Sequence, residues 1–388
     1  MLPLATTTWD KREIDAMNDV IASGQFTMNK YVKKFELDYA EYNDSKYCVM
    51  VNSGSSANLL AISSLFYRNS GIKLRIGDEV IVPAVSWSTT YAPLIQFGLR
   101  IKVVDVDLDT LNMDLEKLKD AITDKTRMIV CVNLLGNSND FKVIDKLIEN
   151  KEIILFEDNC ESMGATYDGK KTGSFGLVGT TSTFFSHIIS TIEGGLIVTD
   201  DEELYHIMLS MRAHGWTREL PEKNKLAEKS DDEFYEQFRF ILPGYNLRPT
   251  ELNGAIGIQQ LKKIDNLVKE RRENAKAYKK IIGSLNNIKV QLEVGKSCWL
   301  GFSLIIKNEK IFSRYDVLQS LKKNGIETRP IVAGNIVHNE FFKKYANYEV
   351  FYDLNNSDIV HDNGFFIGNH GYDISDGIKK VNQIISEL

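Results

Sequence analysis

The stretch Lys46-Tyr-Cys-Val-Met-Val-Asn-Ser-Gly-Ser-Ser-Ala-Asn-Leu-Leu-Ala changes character in its middle. Its first half is an apolar run that reads as a strand, and it breaks at Asn52-Ser53-Gly54 into a helix capped by Ser55 or Ser56. A helix that starts where a strand stops aims free backbone N–H groups and its positive dipole end at the strand terminus. Phosphate binds to that geometry. A capped helix with no ligand is the alternative, because the Walker sequence and the G-x-G-x-x-G fingerprint are both absent.

Outward from this unit, strand-like apolar runs recur at 79–83, 101–105, 128–133 and 153–157, with helical stretches between them. That alternation predicts an α/β chain whose mostly parallel sheet is covered on both faces. Ligands of such sheets sit at the carboxyl ends of the strands, and here those ends carry Trp87, Asn133 and Asp158. Asp158 either caps the next helix or does chemistry. With Glu157 and Glu161 it forms a cluster of carboxylates that repel one another unless a cation or a buried base lies nearby. A last pair of apolar runs, 183–185 and 196–199, brackets a polar turn with His187, and Gly194-Gly195 supplies the freedom for a tight reversal. A lone histidine there is structural or catalytic.

The 388 residues exceed the roughly 250 to 300 at which one core stops growing, so two domains are expected. We place them at 1–248, the α/β unit, and 249–388, a small α+β unit that opens with a long helix from about Pro249. A net charge of −6 with no Lys/Arg-rich run argues against nucleic-acid binding. No apolar run is long enough to span a membrane, and the first ten residues lack the regions of a signal peptide, so the expected location is the cytoplasm. Cys48, Cys131, Cys160 and Cys298 lie far apart, and their spacing indicates neither a metal site nor an iron–sulfur cluster.

A phosphate-binding helix start, an aromatic residue, an acid and a base at successive strand ends are all used by one cofactor, pyridoxal phosphate. Its pyridine nitrogen needs a carboxylate to stay protonated, and Asp158 fits that demand.

Six motifs then carry a resemblance: Phe35-Glu36, Asn52-Ser-Gly-Ser-Ser-Ala-Asn, Ile81-Val-Pro-Ala-Val-Ser-Trp, Glu157-Asp-Asn-Cys-Glu-Ser-Met-Gly-Ala, Ser186-His with Glu193-Gly-Gly, and Gly244-Tyr-Asn-Leu-Arg. From Pro3 to its end the chain resembles the sugar-nucleotide aminotransferases of the aspartate-aminotransferase fold. The resemblance implies that Gly54, Ser55 and Ser182 bind the cofactor's phosphate, that Trp87 stacks on its ring and that Asp158 pairs with the pyridinium. Glu161, where the aminotransferases have Gln, is then placed near the phenolic oxygen. Asn246 matches an Asn that reaches the phosphate of the neighbouring subunit, which implies a homodimer with a shared active site.

One position departs from the pattern. The residue six places before Glu193 is the Schiff-base lysine of those aminotransferases, and here it is His187. An imidazole has no route to a stable imine, but its ordinary pKa of about 6.5 suits proton transfer. The change resembles the sugar 3-dehydratase branch, although the second of the two histidines usual there is Ile188 here. This branch implies a lyase that removes a C3 hydroxyl from a GDP-4-keto-6-deoxy sugar, a hexose or a heptose. L-glutamate is the implied amino donor, converting pyridoxal phosphate to pyridoxamine phosphate, since the cysteines of the iron–sulfur relatives are missing. Phe26, His214, Arg218 and Arg329 are the expected substrate contacts.

Overall fold

The computed structural model describes all residues from 1 to 388. In chain order the first strands are β1 (Tyr47–Val51), β2 (Glu79–Pro83), β3 (Arg100–Val104), β4 (Thr126–Val132) and β5 (Ile154–Asp158). A small ribbon of β6 (Thr166–Tyr167) and β7 (Lys170–Lys171) separates these from β8 (Val178–Ser182) and β9 (Gly195–Thr199). Later come β10 (Ile288–Val290), β11 (Gly301–Ile306), β12 (Thr328–Arg329), β13 (Asn347–Val350) and β14 (Gly364–Gly368). Eight of them form one sheet in the order β1-β9-β8-β5-β4-β2-β3-β13, and β10-β11-β14-β12 form a second, antiparallel sheet. In the large sheet only β9 runs against its neighbours, pairing antiparallel with β1 and β8.

The large sheet is apolar on both faces because consecutive side chains point opposite ways. Val80 and Val82 of β2 enter a core with Val49, Ile101 and Phe156, whereas Ile81 between them joins Ile129, Cys131 and Phe141 on the other side. Helices cover both faces: α1 (Lys11–Ser23), α2 (Lys30–Tyr42), α3 (Gly54–Ser64), α4 (Ser88–Gln96), α5 (Leu115–Ala121), α6 (Phe141–Ile148) and α7 (Glu202–Arg212). After the short α8 (Glu233–Glu236) come α9 (Glu251–Leu261), α10 (Ile264–Ile281) and α11 (Arg314–Lys323). The second sheet has its own core, with Tyr278 of α10, Trp299, Phe302, Phe365 and Ile367 fully buried.

Several boundaries differ from the sequence reading. The cap of α3 is Ser53, whose hydroxyl accepts from Ser56 N at 3.1 Å, so the helix already begins at Gly54. The run 183–185 is not a strand, since β8 stops at Ser182 and a twelve-residue loop, 183–194, replaces the tight reversal. The single long helix from 249 is two helices, because α9 turns its apolar side to α1 and α2 whereas Tyr278 and Ala275 of α10 face the second core. Two elements and one residue cross the division at 248/249: α9 packs on the first unit, β13 pairs with β3, and Leu2 is buried in the second core. No helix is long and apolar enough to cross a membrane.

Candidate active site

The carboxyl ends of β1, β2, β5 and β8 open onto a cavity of about 630 Å³ between the two units. Gly54, Ser55, Trp87, Asp158, Glu161, Ser182, His187 and Arg329 all line it. Residues separated by as much as 275 positions are therefore brought to one wall, as the sequence reading required.

At one end lies the start of α3. A Cβ on Gly54 would stand 2.6 Å from Ser182 Cβ and 3.2 Å from Cys160 Sγ, so only glycine lets β8 come this close to the helix terminus. Gly195 serves the same approach, since its Cβ would meet Ser53 O at 2.2 Å. Around the free N–H groups stand hydroxyls, with Ser55 Oγ bonded to Thr89 Oγ1 at 2.9 Å and Ser182 Oγ accepting from Phe184 N at 3.2 Å. Arg329 is the only Lys or Arg in the cavity wall.

Asp158 closes β5 and is held by three donors. Its Oδ2 accepts from Thr90 Oγ1 at 2.7 Å and from Asn58 Nδ2 at 2.9 Å, and its Oδ1 accepts from the Cys160 amide at 3.2 Å. Thr180 then fixes Asn58 by donating to its Oδ1 at 2.6 Å. The sequence marked neither Thr90 nor Asn58 for this task. Asn58 stands four residues after Gly54, on the same helix face, and that spacing was the available signal.

The crowding of carboxylates is resolved without a cation. Glu157 and Asp158 are consecutive on a strand and point to opposite faces. Glu157 accepts from the amides of Gly173 at 2.7 Å, Phe175 at 2.5 Å and Gly176 at 2.8 Å, and Asn133 Nδ2 adds a bond at 3.3 Å. Asn133 is thus a buried structural residue, not a cavity group. Glu161 does face the cavity, with one oxygen anchored by the Leu135 amide at 2.7 Å. Burial pushes its pKa up to about 7, with Asp158 adding to the shift against the pull of that amide.

His187 lies in the loop between β8 and β9, five residues past the strand end. Its amide donates to Phe184 O at 2.9 Å, and its ring meets the Phe184 ring edge-on at 6.0 Å. The ring is half-buried, and its Nδ1 is sealed from solvent with no hydrogen-bond partner. Desolvation lowers its pKa to about 4, and the buried guanidinium of Arg271 reinforces the effect against the Phe184 backbone. At neutral pH the imidazole is uncharged and ready to accept a proton. Ile188 points the other way, into a core with Met163 and Cys298, so a histidine there would not reach the cavity.

Four expected residues lie outside this wall. Phe26 is half exposed beyond α1, its carbonyl accepting from Glu251 N at 2.9 Å. His214 and Arg218 pack on Trp216, with ring centroids 4.7 Å apart for the first and the guanidinium 4.3 Å from the ring for the second. Asn246 pairs with Ala213 and accepts from Arg248 Nε at 3.0 Å. The cavity also includes Leu4, Thr89, Cys160 and Phe366, to which the sequence assigned no site role.

The model of the DegT/DnrJ/EryC1/StrS aminotransferase family matches residues 7–381. The chain belongs to this family. Its fold is accordingly the mostly parallel α/β sheet and smaller second unit of the type I aminotransferases. It is 52% identical over 386 residues to the GDP-4-keto-6-deoxy-D-mannose 3-dehydratase of Yersinia pseudotuberculosis, covering 99% of this chain and 98% of that one. A crystal structure of GDP-4-keto-6-deoxymannose-3-dehydratase with a trapped PLP-glutamate geminal diamine superposes with a TM-score of 0.97 at 52% identity, over 99% of this chain and all of the other. A histidine-to-asparagine mutant of such an enzyme, with bound GDP-perosamine, gives a TM-score of 0.98 at 52% identity over the same shares. Within the DegT/DnrJ/EryC1/StrS family this chain therefore lies beside members named as dehydratases.

Proposed function

We propose that the protein is a lyase of the cytoplasm that removes the C3 hydroxyl of GDP-4-keto-6-deoxy-D-mannose, using pyridoxal and pyridoxamine phosphate with L-glutamate as amino donor. His187, six places before Glu193 where the related aminotransferases carry their lysine, is the observation that carries this reading. Names of the relatives support it, since they specify the dehydratase, PLP with glutamate, and a GDP-sugar. Such an enzyme serves dideoxysugar synthesis of the colitose type.

The residues present fit the cofactor. Gly54 leaves no room for a side chain at the α3 start, so backbone N–H groups and the Ser55 and Ser182 hydroxyls are free to take a phosphate. Asp158, its carboxylate oriented by Thr90 and Asn58, holds a pyridine nitrogen protonated. Trp87, which lines the cavity and is 56% exposed as a residue, supplies the aromatic face. Glu161, raised to about 7, shares a proton with a phenolic oxygen instead of repelling it. Pyridoxamine phosphate supplies the amine that engages the C4 ketone and the ring that withdraws electrons.

His187 takes a proton from carbon and returns it to the departing C3 hydroxyl oxygen. Its neutral state suits the first task, and its sealed Nδ1 keeps water from competing. Without a lysine the product is not displaced by the protein, so it leaves and hydrolyses to a 3-deoxy-4-keto sugar and ammonia.

The phosphate seat has no Lys or Arg from its own chain, and Asn246, His214 and Arg218 stand outside their own cavity. Phe184, Phe185 and Ile192 of the catalytic loop are exposed, as are Phe234, Phe238 and Phe240, apolar groups that a second copy would cover. We therefore assign a homodimer in which those three polar residues serve the neighbouring subunit.

The test supplies pyridoxal phosphate, excess glutamate and GDP-4-keto-6-deoxy-D-mannose, with the 4-keto-6-deoxy-heptose analogue in parallel, and follows ammonia and product mass. Loss of the C3 oxygen with ammonia release is expected for the hexose. A stable amino sugar, turnover of the heptose alone, or no turnover overturns the proposal.

A further inference from the structure

The loop that carries His187 is held from behind by side chains to which the sequence reading gave no role. At Ser190 the backbone N–H donates to Gln260 Oε1 at 3.0 Å, and the carbonyl accepts from the Trp9 indole N–H at 3.0 Å. Gln260 is fully buried on α9, and its amide donates to Glu13 Oε1 at 2.8 Å and to Thr8 O at 3.2 Å. Lys263 completes this cage with an ion pair to Glu13 at 2.7 Å. On the other side of the loop, Asn253 Nδ2 donates to Thr191 O at 2.8 Å and to Glu193 O at 3.0 Å.

Between these anchors stands Ile192 with φ of 73°, a left-handed conformation that a β-branched side chain disfavours. Such a conformation persists only where its surroundings over-determine it. Trp9 is itself fixed, because its segment runs from Leu2 in the second core past Leu4 in the cavity wall.

We infer that Trp9 and Gln260 are positioning residues for His187: through both polar groups of Ser190 they hold the 183–194 loop in place of the covalent tether that a lysine would provide. The inference rests on the proposed dehydratase reading for its catalytic consequence. The titratable and charged groups that share the cavity with His187 are Asp158 at the end of β5, Cys160 and Glu161 after it, Glu193 on the loop and Arg329 on β12, and Arg271 on α10 acts on the ring from behind. Releasing Ser190 lets the ring move from its dry seat toward water, so its titration returns toward the ordinary value of about 6.5.

Trp9→Phe keeps an aromatic ring while removing the N–H together with part of the indole's volume, and Gln260→Met removes the amide at similar volume. Both are compared with wild type, with pyridoxamine phosphate bound, by histidine NMR titration assigned through His187→Asn, and by kcat, KM and melting temperature. For Trp9→Phe we expect kcat to fall about tenfold with KM little changed, the His187 midpoint to rise by about one unit or more, and the melting temperature to hold. An unmoved His187 midpoint overturns the inference, whether or not kcat falls, because a merely structural role gives that pattern. If Gln260→Met does not fold, Trp9→Phe decides alone. Wild-type protein that turns over no sugar refutes the dehydratase reading, and the NMR midpoints still decide the positioning.

Discussion

Asp158 and His187 share one cavity and are built in opposite ways. Asp158 ends a regular strand, is 4% exposed and has three donors on its two oxygens. His187 rides on a loop, and its sealed Nδ1 has no partner at all. A group that must hold one charge throughout is stabilised by satisfying it, whereas a group that must gain and lose a proton is kept responsive by leaving it unsatisfied. The same cavity thus contains a fixed support and a proton carrier, distinguished by hydrogen bonds more than by residue type.

The strongest way to break this contrast is His187→Asn. Turnover is expected to fall by about 10³-fold or more, while pyridoxal phosphate affinity, measured by absorbance titration, changes little. Loss of affinity together with rate would show that His187 holds the cofactor as well. Asp158→Asn is the complementary change, with an expected loss of about 10²-fold in kcat and weaker cofactor binding in the same titration. If binding and rate are unaffected, Asp158 is a structural cap.

The smallest effect sharpens a middle case, Glu161, which is anchored on one side only. Its folded pKa of about 7 lies above the ordinary 4.5, so the neutral form is favoured by folding. The stability it contributes is present below pH 4.5 and is lost as pH rises through about 7. Glu161→Gln in the cofactor-free protein should therefore raise stability at pH 8 by about 1–2 kcal/mol after discounting for its partial exposure, and leave it unchanged near pH 4. Thermal unfolding at the two pH values measures the difference.

Much of this arrangement was legible because it follows the backbone. Apolar runs and their breaks marked β1 to β5 within two residues, and residues at strand ends necessarily share one edge of a parallel sheet. Long-range side-chain partners left no comparable trace. Nothing in the spacing of Glu157 announces that Gly173, Phe175 and Gly176 will turn three amides toward it, so a nearby cation or buried base was the expected relief where a loop suffices. The strand expected at 183–185 failed for a related reason. Thr183 and Phe185 have strong β-propensity, and their N–H groups still reach Gly194 and Ile192 in the register of β8 and β9, but the return bonds are absent, with Thr183 O accepting from Thr191 instead, so no regular ladder forms. His187 was found through its spacing to Glu193, while its dryness and its support from Trp9 and Gln260 depend on segments from either side of the expected 248/249 boundary.

The reversed direction of β9 has a further consequence. Ser182 and Gly195 sit directly opposite one another, so the loop carrying His187 leaves and re-enters the sheet through adjacent stems. Closing a loop on stems so near together depends only weakly on its length. The segment behaves as an exchangeable cassette: its residues can be recoded for a different outcome while the strands, the phosphate seat and the carboxylate stay as they are. New chemistry on this scaffold needs a rewritten insert, not a new fold.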